Sequence, residues 1–162
     1  MRELLVDFIT SLDGYASAEG WPGWWGLQGP EYLEWLGEQP EVTYLIGAKT
    51  YRLMAGFAAG EPPAGQDELA ADEEASVDGL TRASKVVFSA SLEEPLAWAN
   101  STLVREDAVE AVRAMKEDGS GLISTIGSLS LCRTLLREGP RRSLPGGDVP
   151  GDHRRHGSRA HL

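Results

Sequence analysis

The sequence predicts an α/β fold built on a largely parallel sheet. Apolar or β-branched runs at residues 4–10, 42–46 and 122–126 each lead into a glycine turn, at Gly14, Gly47 and Gly127. Helical patterns begin after the last two of these turns. Strands and helices then alternate along the chain, as the crossovers of a parallel sheet require.

Residues 4–10, LLVDFIT, read as a first strand, mostly apolar with Asp7 interrupting it, which suits a sheet covered on both faces. Residues 16–30 are a loop rich in glycine and tryptophan. A first helix starts at Pro30 or Glu31, since proline is favoured in the first turn. Tyr32, Leu33, Trp35 and Leu36 give it one apolar face, and Gly37 and Pro40 end it. Strand two is 42–46, followed by a helix over 50–57 with Tyr51, Met54 and Ala55 on one side. Residues 58–67 contain Gly-Glu-Pro-Pro-Ala-Gly and form an exposed loop.

The acidic, alanine-rich residues 68–81 form a helix or a partly ordered segment. KVVFS at 85–89 and STLV at 101–104 are short strands. The clearest helix is 107–117, where Val109, Val112 and Met115 share one face and Asp107 is placed to cap. Gly119 and Gly121 terminate it. After the strand at 122–126, residues 128–137 are helical, with Leu131, Leu135 and Leu136 inward and Gly139 as the stop.

A chain of 162 residues fits one domain with a real hydrophobic core. Cys132 is its single cysteine, which excludes an internal disulfide and a cysteine metal cluster. Its apolar helical setting favours a buried structural thiol. No stretch nears the roughly 20 apolar residues that span a bilayer, and no signal-peptide pattern opens the chain. A cytoplasmic protein without membrane contact is expected. The formal charge of −10 argues against general nucleic-acid binding, because phosphate backbones select basic surfaces. His153, His156 and His161 all lie beyond residue 138, so the folded part carries no histidine. That excludes a Ser-His-Asp hydrolase, and no metal is expected. A P-loop lysine motif is absent too.

Several turns can carry chemistry. Gly127 follows a strand and precedes a helix, so the amides of Gly127, Ser128, Leu129 and Ser130 can face a diphosphate at the helix's positive end. The plainer reading is a tight turn and nothing more. Gly47-Ala48-Lys49-Thr50-Tyr51 places a cation and a hydroxyl at the start of another helix. Lys49 suits phosphate as a point charge, or is an ordinary solvated lysine, and Thr50 suits a cap. Phe88-Ser89-Ala90-Ser91 follows a third strand. In Ser11-Leu12-Asp13-Gly14-Tyr15 a carboxylate stands beside a glycine that lets the chain turn. Asp13 either meets a ligand or holds its own backbone. Trp24 and Trp25, in Trp21-Pro22-Gly23-Trp24-Trp25, either fold over a flat ligand as a lid or pack inward.

Together these turns resemble the dihydrofolate-reductase-like family, in particular the reductase domain of riboflavin biosynthesis and its stand-alone relatives. The resemblance implies a three-layer α/β fold over residues 1–138. It implies hydride transfer from NADPH, with NADH as the alternative, to a pteridine, pyrimidine or similar heterocycle. Under it, Gly127 to Ser130 meet the cofactor diphosphate, although the family's usual second glycine is Ser128 here. Gly47, Lys49 and Thr50 match the family's Gly-Arg-Lys-Thr-Tyr turn, and Ser89 falls near the adenosine end. Ala48 and Ala90 stand where the family carries cations, so weak discrimination between NADPH and NADH is implied unless Lys49 or Arg52 compensates. Asp13 lines the cleft where nicotinamide meets substrate, with Trp24 and Trp25 as its lid. Glu31, or Tyr32 one register along, falls near the acid that dihydrofolate reductases carry on their first helix. A homodimer is a further implication. Two rival readings stand beside this one. One is a ribosylaminopyrimidine reductase of riboflavin biosynthesis, whose phosphate-bearing substrate asks for basic residues. The other is a nucleotide-binding protein or truncated pseudo-enzyme without turnover.

Residues 139–162 read differently: arginines crowd a segment with no aromatic residue and no apolar period. The resembled family continues with a Val-Asp-Arg-Phe-like turn and two apolar strands. With GC-rich codons assumed, a one-base shift turns this tail into PVDRFRVVMFPVITGATGRAHI. A frameshift near residue 139 is the leading expectation, and a native, irregular basic tail is the alternative. In the first case the C-terminal strands are missing and a sheet edge is left unpaired.

Overall fold

In β2 (Val42–Gly47), Val42, Tyr44 and Ile46 face one side of the sheet and Leu45 the other, because successive strand side chains alternate. The computed structural model describes residues 1–16, 29–38, 42–61 and 71–138. Trp24, Trp25, residues 68–70, Gly139 and the tail lie outside the described residues.

β2 is central in a five-stranded sheet of order β1-β5-β2-β3-β4, whose pairs are all parallel. The other strands are β1 (Glu3–Leu5), β3 (Ser84–Phe88), β4 (Ser101–Val104) and β5 (Leu122–Thr125). On one face α2 (Ala48–Ala58) and α3 (Ala71–Arg82) pack Tyr51, Met54, Phe57, Val77 and Leu80 against Tyr44, Ile46 and Val87. α1 (Pro30–Glu38) packs against α3. On the other face α4 (Ala108–Glu117) and α5 (Leu129–Glu138) bring Val109, Val112, Leu131 and Leu135 onto Leu45 and Ile123. Each such side chain gains roughly 1.5–3 kcal/mol on full burial, so two-sided packing holds the three layers. Among the described residues no helix is long and apolar enough to cross a membrane.

Two expected elements need correction. The first strand stops at Leu5, not at residue 10. Its partner β5 ends at Thr125, and there a side chain takes over from the ladder. Thr125 Oγ1 accepts the Asp7 N–H at 2.8 Å and donates to the Asp7 carbonyl at 2.9 Å. The second helix starts at Ala48, straight from β2, with Gly47 as its N-cap and no side-chain cap bond. Thr50 is therefore inside the first turn and does not cap it. The expected cap at Asp107 is present, its Oδ1 accepting Val109 N–H at 2.9 Å and Glu110 N–H at 3.1 Å.

The crossing from β3 to β4 uses no helix. Trp98 fills that space: its backbone N–H donates to Tyr51 OH at 3.0 Å and its Nε1 to Thr81 Oγ1 at 2.8 Å. Beneath the indole ring, 4.4 Å from its centroid, lies the ammonium of Lys85, which is 1% exposed. Lys85 Nζ donates to the carbonyls of Leu80, Ala83 and Thr81 at 2.6, 2.7 and 3.1 Å. A cation thus closes the negative end of α3. Burial lowers the Lys85 pKa to about 8.

Candidate functional site

After β5 the chain turns through Gly127 and Ser128, with φ of 50° and 55°. Glycine adopts that left-handed conformation freely, whereas serine loses about 1–2 kcal/mol. The turn aims the Ser128 hydroxyl away from its own helix and onto the β2–α2 turn. There Oγ accepts the Gly47 N–H at 2.8 Å and donates to Thr50 Oγ1 at 2.9 Å. A Cβ on Gly47 would lie 3.3 Å from that Oγ, so the approach itself favours glycine. A Cβ on Gly127 would lie 3.8 Å from Thr50 Oγ1, an ordinary contact. At Gly127 the requirement is conformational.

Two turns read separately in the sequence therefore form one surface. β2 and β5 are adjacent strands, and the helices that follow them begin side by side at the sheet's carboxyl edge. Helix N-termini attract anions through free amides and the positive dipole end. No side chain caps α2, and Lys49 is exposed in its first turn. Leu129 is half-buried and Ser130 exposed at the start of α5. Gly47, Lys49, Thr50, Gly127 and Ser128 are thus brought together, and the set fits the diphosphate of a dinucleotide.

Ser89 sits beyond β3, where its Oγ accepts the amides of Ser91 and Leu92, both at 3.1 Å. That hydroxyl serves its own turn. Two guanidiniums reach the same turn. Arg52, one helical turn past Ala48, donates to Ser91 Oγ at 3.3 Å. Arg105 donates to the carbonyls of Ala90 and Leu92 at 3.2 and 2.7 Å. Positive charge stands beside Ala90 although the residue itself carries none.

Asp13 is exposed, and its carboxylate accepts from the Ser11 hydroxyl within a turn closed by Gly14 N–H to Ser11 carbonyl at 2.9 Å. Glu31 is exposed on α1. Its neighbour Tyr32 points inward, donating its hydroxyl to Asp7 Oδ2 at 3.1 Å. Burial, then the Asp7 charge and that bond, push the Tyr32 pKa well up, and burial followed by Asp7 raises Tyr44. The Cys132 thiol is buried, donates to the Gly127 carbonyl at 2.9 Å and has its pKa raised by burial. It packs as a structural thiol. Between the segment after β1 and α5 runs a groove of about 230 Å³, lined by Phe8, Thr10, Tyr15, Leu129, Arg133 and Leu136.

Sequence reading gave the Asp7–Tyr32 pair no role, although a lone carboxylate inside an apolar run was the available signal. It gave Arg105 no role, because nothing local ties residue 105 to residue 90.

The comparison with curated proteins found no match. A family model described as the RibD C-terminal domain matches residues 2–140. With that match and a parallel sheet flanked by helices on both faces, the chain belongs to the RibD C-terminal domain family of reductase-like domains.

Proposed function

We propose that this chain is a reductase that takes a hydride from NADPH and passes it to a carbon–nitrogen or carbon–oxygen double bond in a pteridine, pyrimidine or similar heterocycle. The observation that carries the reading is the joining of the Gly47 and Gly127 turns by Ser128. It supports a diphosphate held between the N-termini of α2 and α5, with Lys49 as its nearest candidate cation. When bound, a nicotinamide cofactor supplies the hydride. The residues of the chain orient the ring, hold the phosphates and limit water. Ser89 and Ser91 would meet the adenosine end, and Trp24 and Trp25 are proposed to cover the nicotinamide. Asp13 is proposed to line the cleft, and Glu31 to be its acid.

The family match favours one more specific reading, reduction of a ribosylaminopyrimidine in riboflavin biosynthesis. The phosphate of such a substrate needs a cation, and Arg133 in the groove wall offers one.

The test is NADPH binding, followed by nucleotide fluorescence, together with oxidation of NADPH in the presence of pterins and pyrimidines. In Gly127→Val a β-branched residue is forced to φ near 50° and the backbone approach is blocked. That variant should lose NADPH binding while far-UV dichroism shows its helices intact. Unchanged affinity would remove this turn from the site. Binding of NADPH without oxidation against any such substrate would favour the nucleotide-binding protein without turnover.

A further inference from the structure

Past the end of β5 at Thr125, the Ile126 N–H still donates to the Leu45 carbonyl of β2 at 3.1 Å. Two residues further along β2 the Gly47 N–H points to the same side. What it meets there is a side chain: Ser128 Oγ accepts it at 2.8 Å, and the same hydroxyl is held in place by donating to Thr50 Oγ1 at 2.9 Å. The Ser128 carbonyl opens α5 by accepting the Cys132 N–H at 3.0 Å. From that position a serine ordinarily turns its hydroxyl onto its own helix. Here the left-handed backbone, φ 55°, sends it across the crevice to the start of α2 instead. The crevice outside the carboxyl ends of adjacent strands is also where open α/β sheets take their ligands.

A backbone amide has one hydrogen to give, so the Gly47 N–H serves either Ser128 or a bound anion at full strength. An oxygen that accepts an amide between two helix starts has the place and the chemistry of a phosphate oxygen. We propose that the Ser128 hydroxyl is an internal stand-in for that oxygen, an autoinhibitory contact that occupies the Gly47 amide and is displaced when a diphosphate settles in the crevice. Displacement needs only rotation of the hydroxyl about the Ser128 Cα–Cβ bond, which breaks the bonds to Gly47 and Thr50 together. The contact regulates the site of the reductase reading and rests on that reading for the nature of the ligand. It also separates two roles for Ser128. A residue that only braces the turns would, once removed, lower stability and affinity alike. A residue that competes with the ligand would lower stability and raise affinity, and damage to the fold cannot raise affinity.

The experiment measures NADPH, NADH and inorganic pyrophosphate binding to the full chain and to Ser128→Ala, which removes the hydroxyl and keeps Cβ. NADPH and NADH are followed by nucleotide fluorescence and pyrophosphate by its displacement of NADPH. The variant should bind all three ligands about three- to tenfold more tightly, the fold-change that one ordinary hydrogen bond carries. The factor should be the same for each, because the diphosphate is what they share. Ser128→Gly should tighten binding in the same direction, and it decides if the alanine variant fails to fold. A second readout uses the parent alone: on titration with pyrophosphate, the Gly47 amide and Ser128 Cβ resonances should shift together as the hydroxyl leaves. Affinities equal to the parent's, weaker binding by both variants, or a Ser128 Cβ resonance that stays in place while Gly47 shifts would each overturn the autoinhibitory contact and leave the reductase reading standing. Failure of all three proteins to bind any of the ligands would remove the diphosphate reading of the crevice, and the contact with it.

Discussion

Ser128 donates to Thr50 Oγ1 at 2.9 Å from a backbone held at φ 55°, a conformation that disfavours every residue but glycine. The hydroxyl is thus kept in a strained turn by what it joins, the first turns of α2 and α5. Removing the hydroxyl and removing the strain are separable. Ser128→Ala loses both bonds, leaves the Gly47 N–H without its acceptor at about 1–3 kcal/mol, and keeps the strain. Ser128→Gly loses the same bonds but recovers about 1–2 kcal/mol from the backbone. Urea midpoints should rank parent, then Gly, then Ala. An alanine variant as stable as the glycine variant would show that the turn is not strained.

Cofactor choice is tested at Arg52. Ala48 and Ala90 leave two expected cation positions empty of charge, which predicts weak preference between NADPH and NADH. Arg52 reaches Ser91 from one helical turn below Ala48, so what preference exists should rest on it. A charge-assisted phosphate contact is worth about 1.5–3 kcal/mol. Arg52→Ala should therefore weaken NADPH binding by the parent's own small ratio of NADPH to NADH affinity, well short of a full contact's worth, and leave NADH unchanged. Equal losses for both nucleotides would place Arg52 in the architecture of the Ser89–Leu92 turn alone.

Much of this arrangement is legible in the sequence, and the illegible parts share a cause. The parallel sheet follows from apolar runs that stop at glycine, and α4 from the spacing of Val109 and Val112 behind the Asp107 cap. The end of β1 cannot be read locally, because it depends on where β5 stops and on a threonine side chain far along the chain. Thr50 looks like a cap, yet helix geometry continues straight out of β2 and moves the cap to Gly47. The turning of Tyr32, and not Glu31, toward Asp7 is a matter of helix phase, which one residue of misregister reverses. Lys85 looks like an ordinary strand lysine. Only the packed structure brings the carbonyls of α3 and the Trp98 ring around it.

The proposed frameshift near residue 139 makes a stability prediction. Among the described residues β1 pairs only with β5, and Phe8, Leu12 and Leu136 are exposed at that side of the domain. A chain carrying the shifted reading should cover part of this apolar surface with its added strands. At roughly 25 cal/mol per Å² of apolar area buried, that amounts to several kcal/mol. Its melting midpoint should lie well above that of the present chain. Equal midpoints, or a resequenced gene with no disputed base, would leave the basic tail as native.

Lys85 should give stability an unusual pH dependence. Its folded pKa, about 8, lies below the ordinary 10.5 because burial penalises the charge. Between those values the unfolded chain binds more protons than the folded one, so the contribution of Lys85 to stability improves as pH rises. Tyr32 and Tyr44 act the other way, because their raised pKa values favour the folded chain's protonated phenols until pH exceeds the ordinary value of 10.0. The informative window is therefore about pH 7 to 9.5. Lys85→Met keeps a similar shape under the Trp98 ring but cannot titrate. Denaturant unfolding of both proteins across that window should show the parent gaining about 1–2 kcal/mol relative to the variant. A difference that stays flat would mean the three carbonyls of Leu80, Thr81 and Ala83 hold the ammonium charged throughout, and that Lys85 is a strong cap whose burial carries no net electrostatic penalty.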